Sequence, residues 1–189
     1  MKKINAIRDK QQRLALNSWA QSDFIGSVIA GTGFGKSRVG ILAIDYILKQ
    51  KSRSNKKSAL ILVPTVQLQD QFREEFTKWG VDCLEHVEIL CYQSAYKLKG
   101  HHYDIVVCDE IHLGLSPKYR EFFVNNVYDS LLCMTATLPE EPEYKVKLHM
   151  IAPTVYHITL DQCVDLGIVA PYKIYCKPLT LTPTEASDY

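Results

Sequence analysis

The sequence predicts an α/β domain around a mainly parallel sheet, and three observations carry that prediction. Apolar runs of about four to eight residues alternate with stretches of helical period, the pattern of strand and helix units. A glycine-rich loop ending in Lys36-Ser37 follows the first apolar run and opens an amphipathic stretch. A later run, Ile105 to Cys108, ends in two adjacent carboxylates, Asp109 and Glu110.

The strands expected are Phe24–Ala30, Ala59–Val63, Val87–Cys91, Ile105–Cys108 and Leu131–Thr135, with weaker candidates at Val155–Thr159 and Tyr172–Cys176. A helix over Lys36 to Lys49 places Val39, Ile41, Leu42, Ile44, Ile47 and Leu48 at helical spacing, and one over Val66 to Trp79 aligns Leu68, Phe72, Phe76 and Trp79. Between the first helix and the next strand, the polar, basic stretch Lys49 to Lys57 reads as a solvated connector in preference to a nucleic-acid contact. The acidic, proline-bearing stretch Leu138 to Tyr144 reads as loop.

With 22 Lys+Arg against 21 Asp+Glu, net charge +1 and 47% hydrophobic residues over 189 positions, the chain has material for one globular core. The charge balance excludes a globally basic protein, so any nucleic-acid surface must be a local patch. No apolar run approaches the roughly 18 to 20 residues of a membrane span, and Met1 to Asn5 lacks the apolar stretch of a signal peptide. A cytoplasmic protein with no membrane partner is expected. The cysteines Cys83, Cys91, Cys108, Cys133, Cys163 and Cys176 form no CxxC pair and read as buried thiols in a reducing compartment. No histidine stands at metal-ligand spacing with them, so no structural zinc is expected.

Ala30-Gly-Thr-Gly-Phe-Gly-Lys36-Ser37 sits where a phosphate loop must sit, after a strand and before a helix. Small residues let the backbone curl so that several N–H groups point into one concavity, and the helix adds its positive end. Thr32, Gly33, Phe34, Gly35, Lys36 and Ser37 would hold the phosphates of ATP. Lys36 would reach the β and γ phosphates and the Ser37 hydroxyl would ligate Mg²⁺. Ala30 replaces the first glycine of the strict pattern, a small-for-small change. Asp109 and Glu110 end a strand at the carboxyl edge of the sheet, where ligands of open α/β folds bind. Asp109 would hold Mg²⁺ through its water shell and Glu110 would polarise the attacking water.

Gly31-Thr-Gly-Phe-Gly-Lys-Ser37, Asp109-Glu-Ile-His112 and Thr135-Ala-Thr137, in that order and each at a strand end, resemble motifs I, II and III of superfamily 2 helicases and translocases. Val63 to Gln71 resembles motif Ia, and Cys91-Tyr-Gln-Ser94 the short segment that follows it. Arg8-Asp-Lys-Gln11 is similar to the adenine-recognition element of the branch holding phage repair helicases and restriction-type DNA translocases. The stretch from Asp165 to Pro171, then a strand, then Leu181 to Glu185 and Tyr189, resembles the exit of a first motor domain.

The resemblance implies a three-layer, RecA-like P-loop NTPase domain over residues 1–170 and an exit strand and linker over 171–189 leading to a second RecA-like domain. It implies that Gln11 reads the adenine edge with Arg8 nearby, although Gln12 beside it leaves the register open by one. His112 becomes a link between the γ-phosphate and Thr135 and Thr137; otherwise it is a solvated histidine at a loop start. Pro64, Thr65, Gln67, Gln93 and Ser94 become contacts to nucleic-acid backbone, which position without reading sequence. Thr65 also reads as a plain helix cap. Asp-Glu-Ile-His departs from the RNA-helicase patterns and leans the partner towards DNA over RNA. The family's arginine fingers lie in the second domain, and no arginine follows Arg120 here. Without such cations turnover falls by about 10³ to 10⁵.

The function expected is the ATP-binding N-terminal motor domain of a DExH-type superfamily 2 DNA helicase or translocase, an ATP hydrolase weak on its own. The alternative is a nucleic-acid- or partner-binding ATP-switch module without motor activity. A small-molecule phosphotransferase would need a lid bearing arginines, which the C-terminal third lacks.

Overall fold

The computed structural model describes residues 2–50, 58–138, 140–173 and 175. In chain order the elements are α1 (Lys2–Ala20), β1 (Ile25–Ala30), α2 (Lys36–Gln50), β2 (Ala59–Val63), α3 (Val66–Lys78), a short 3-10 turn at Leu84–His86, β3 (Val87–Cys91), α4 (Tyr92–Ala95), β4 (His102–Tyr103), β5 (Ile105–Cys108), α5 (Ile111–Gly114), α6 (Glu121–Asn125), β6 (Val127–Tyr128), β7 (Leu131–Thr135), α7 (Pro142–Ile151), β8 (Thr154–Ile158) and α8 (Leu160–Asp165). Six strands form one sheet in the order β3-β2-β5-β7-β1-β8, and all pair in parallel. β4 and β6 make a separate two-stranded parallel ribbon.

Strand alternation divides the core into two layers. Ala59, Ile61 and Val63 face one side with Val28, Val107 and Met134, under α1, α2 and α3. Leu60 and Leu62 face the other with Val106, Cys108, Leu131 and Cys133, against Tyr92, Phe122 and Leu148. Central strands buried on both faces read as continuous apolar runs, which is why β2, β5 and β7 fall where the sequence places them; β3 is an edge strand whose burial alternates through Glu88 and Leu90. Helix α2 crosses the sheet closely: a Cβ at Gly40 would lie 2.9 Å from Val107 Cγ1 and 3.1 Å from Met134 Cε.

Two expectations are corrected and one helix is added to them. Helix α1 packs beside α2, and its Trp19 indole N–H donates to the Leu131 carbonyl across 2.9 Å. The loop expected over Leu138 to Tyr144 is shorter, because Pro142 opens α7. Proline is favoured at the first turn, where its missing N–H would have no helical acceptor. β8 runs one residue earlier than Val155–Thr159, with Thr159 capping α8 through a reciprocal bond with Gln162. The strand expected over Tyr172–Cys176 and the exit segment over 181–189 lie mostly outside the described residues; 172, 173 and 175 belong to no regular element. Cys83, Cys91, Cys108, Cys133 and Cys163 are buried and no disulfide joins them. Among the described residues no helix is long and apolar enough to cross a membrane.

Candidate nucleotide site and nucleic-acid track

The loop between β1 and α2 turns on Gly33 and Gly35, at φ 80° and 87°, a region L side chains rarely enter. The φ at Gly35 favours glycine, and a Cβ there would stand 2.5 Å from Gln12 Nε2 and push that amide off the loop. Phe34 is fully buried and packs near Tyr156, with ring centroids 6.0 Å apart. Lys36 Nζ donates to the Ala30 carbonyl at 3.1 Å. That acceptor is backbone, so alanine in place of the first glycine leaves it intact. The opening turn of α2 carries Lys36 and Ser37.

β5 delivers the carboxylates. Asp109 is buried, and its acid is pushed up to about 6 by burial first and by the Glu110 charge second, against the opposing pull of Lys36. Glu110 adopts left-handed backbone, φ 47°, uncommon for a side chain of its size. This turn aims its carboxylate back at the loop: Glu110 Oε1 lies 4.0 Å from Lys36 Nζ. Backbone held in such a region marks a site where surrounding structure over-determines the geometry.

Glu110 Oε2 also meets the end of β7. The buried Thr135 hydroxyl stands 3.0 Å from it, 2.7 Å from the Thr137 carbonyl and 3.1 Å from His112 Nδ1. The hydroxyl has one proton for the two oxygens, and it accepts from Nδ1 when that nitrogen is protonated. Asp109-Glu110, His112 and Thr135-Thr137 therefore form one connected cluster, although the segments lie far apart in sequence.

The two glutamines divide. Gln12, 2% exposed, donates from Nε2 to the Phe34 carbonyl at 2.8 Å and the Gly35 carbonyl at 3.3 Å, while its Oε1 accepts from Arg38 at 2.8 Å. Arg38 also pairs with Asp9 and lies over the Trp79 ring. Gln11 points elsewhere and accepts from the Tyr156 hydroxyl at 2.7 Å. Arg8 donates to the Ile168 carbonyl at 2.7 Å. The sequence pattern favoured Gln11 with the register open by one, and Gln12 is the residue that braces the loop, on the buried stripe of α1 with Ala15 and Trp19.

At the same edge of the sheet, Pro64, Thr65 and Gln67 follow β2, and Gln93 and Ser94 follow β3. Thr65, Gln67, Gln93 and Ser94 are exposed, and Gln93 Nε2 reaches the Pro64 carbonyl at 3.4 Å. Thr65 stands at the N-cap just before α3, yet its side chain makes no capping hydrogen bond. The hydroxyl is left to solvent. Strand order places β2 and β3 to one side of β5, and β1 beyond β7 on the other, so the loop and this exposed row occupy separate parts of one edge.

A parallel sheet with a phosphate loop on one strand and Asp-Glu on another, both at the carboxyl edge, is the arrangement of a RecA-like P-loop NTPase domain, and the matches that follow make it one of the superfamily 2 helicase and translocase kind. Over residues 4–140 the chain matches the family described as Type III restriction enzyme, res subunit, and it belongs to that family. It is similar to the DNA 3'-5' translocase XPB2 of Sulfurisphaera tokodaii, 27% identical over 97% of this chain and 42% of that protein. In fold it resembles the UvsW helicase from bacteriophage T4 (TM-score 0.58, 16% identity, 78% of this chain and 59% of that one). It also resembles the Type ISP restriction-modification enzyme LlaBIII, solved bound to DNA (TM-score 0.62, 16% identity, 86% of this chain and 16% of that one). The chain thus spans less than half the length of the sequence relative it matches.

Proposed function

We propose that this chain binds ATP with Mg²⁺ and serves as the first motor domain of an ATP-dependent DNA helicase or translocase, closing on a second RecA-like domain of the same longer protein. The observation that carries this reading is the approach of Lys36 to Glu110 within the cluster that also holds Thr135 and His112. Lys36 would take the β and γ phosphates, the backbone N–H groups of the loop would cradle them, and Glu110 would orient and deprotonate the attacking water.

The donor set fits Mg²⁺. Two adjacent carboxylates, one buried and resisting ionisation, face a single ammonium, and a divalent cation would offset the remaining negative charge. Asp109, through water, and the Ser37 hydroxyl would hold it. When bound, the ion would supply positive charge against the phosphates. His112 and Thr135 would sense the occupant of Glu110 through their shared hydroxyl and pass it to the strand end bearing Thr137. DNA is the favoured polymer, since the XPB2 relative is a DNA translocase and LlaBIII was solved with DNA.

The test is nucleotide titration and steady-state hydrolysis with and without Mg²⁺, single-stranded and duplex DNA, and RNA. Mg²⁺-dependent ATP binding with little turnover is expected from this chain, and polymer-stimulated turnover once the second domain is joined. Binding that survives Lys36→Ala would sink the site assignment. ATP-dependent capture of a partner without turnover by the two-domain protein would replace the motor with a switch.

A further inference from the structure

We propose that Lys97 and Lys118, gathered over the Tyr96 ring, grip the sugar-phosphate backbone of a polynucleotide strand, extending its path beyond Gln93 and Ser94. This inference rests on the motor reading above and adds a surface outside the motifs that suggested it.

The two lysines come from segments distant in sequence. Lys97 follows α4, and Lys118 lies in the loop between α5 and α6. Lys118 Nζ stands 4.7 Å from the Tyr96 ring centroid and Lys97 Nζ 5.8 Å from it. A cation over an aromatic face is held by the ring quadrupole, so Tyr96 gathers two exposed ammonium groups on one spot. Tyr119 packs against Tyr96, centroids 6.0 Å apart, and stacks on the buried Tyr92 at 6.0 Å and 24°. The lysines therefore stand on a three-tyrosine platform anchored in the core.

The two segments that carry the lysines hold no carboxylate, although Asp104, Glu110 and Glu121 flank them in sequence. From Gln93 to Tyr103 there are Lys97 and Lys99 and no carboxylate, and from Ile111 to Lys118 there is Lys118 and no carboxylate. Arg120 lies near Glu143 and is not counted in the patch. In a chain of net charge +1, such a local excess is the electrostatic footprint a polyanion needs. The patch continues directly from α4, whose exposed Gln93 and Ser94 belong to the track that the family resemblance implies. Lysines meet phosphate as point charges and carry no base code, so the grip is indifferent to sequence.

The experiment measures the affinity of this chain for labelled single-stranded and duplex oligonucleotides across a salt series. It compares the wild type with K97A/K118A, K97R/K118R and Q93A, each checked for folding by its melting curve. If both lysines neutralise phosphates, K97A/K118A lowers the slope of log K against log salt by about 0.7 per lysine on single strands and about 0.9 on duplex, equally for every sequence. K97R/K118R keeps the slope. A steep wild-type slope that K97A/K118A leaves unchanged while Q93A weakens binding overturns the patch, keeps the track, and leaves the lysines to an acidic protein. Failure of the wild type to bind any polymer while it binds Mg²⁺ and ATP also overturns the patch. Failure to bind ATP at all is the separate failure of the motor reading.

Discussion

The proposed nucleotide end of this domain and its proposed nucleic-acid end share one sheet edge but are built differently. Around the phosphate loop, side chains already hold one another: Gln12 braces Phe34 and Gly35, Lys36 reaches the Ala30 carbonyl, and Thr135 meets Glu110. Along the track, Thr65 stands at a helix start without capping it, and Gln93 touches the backbone at 3.4 Å. A site for developing charge on phosphate needs groups fixed in place beforehand. A surface that must release and regain a polymer at each step is better served by exposed groups whose best partner is the ligand. Substitutions of the bracing groups at the first end, such as Gln12, should damage stability and binding together, whereas those at the second should touch binding alone.

The largest effect is expected from Lys36→Ala. Loss of a charge-assisted contact worth about 3 kcal/mol weakens Mg²⁺-dependent ATP binding by roughly a hundred-fold or more, read by calorimetric titration. Glu110→Gln in the two-domain protein should keep ATP binding and slow turnover by about 10² to 10⁴, the range of a lost general base; hydrolysis at the wild-type rate would remove that role. Gln12→Ala deprives two loop carbonyls of a donor and leaves Arg38 without one of its acceptors. Chemical denaturation should register a loss of about 1 to 3 kcal/mol together with weaker nucleotide binding. Intact stability in Gln12→Ala would erase the contrast between the two ends. The smallest stability change belongs to Thr65→Ala: a helix cap is worth about 1 kcal/mol, but this one makes no capping bond, so the melting curve should barely move while polymer affinity falls.

What was legible in the sequence followed the physics of each element. β2, β5 and β7 were legible to the residue because strands buried on both faces need unbroken apolar runs, and their neighbours break them with Pro64, Asp104 or Ser130, whereas β3, at the edge of the sheet, alternates in burial through Glu88. Helix α1 was not, because its buried stripe opens on Gln12, a polar residue whose burial makes sense only once the Phe34 and Gly35 carbonyls stand beside it. The β4 and β6 ribbon, two residues per strand, is too short to show alternation. The start of α7 was hidden by proline, which breaks helix interiors but is welcome at their first turn.

By itself the sequence determined the sheet, the phosphate loop and the carboxylate pair. These depend on local pattern: apolar runs, glycines where φ is positive, and charged residues at strand ends. Only the tertiary structure decided which glutamine braces the loop, that Glu110 turns through left-handed backbone towards Lys36, that Thr135 and His112 join it, and that Lys97 and Lys118 meet over one ring. Each of those depends on the crossing of segments that are distant in the chain, and the spacing of residues along a sequence carries no record of where such segments cross.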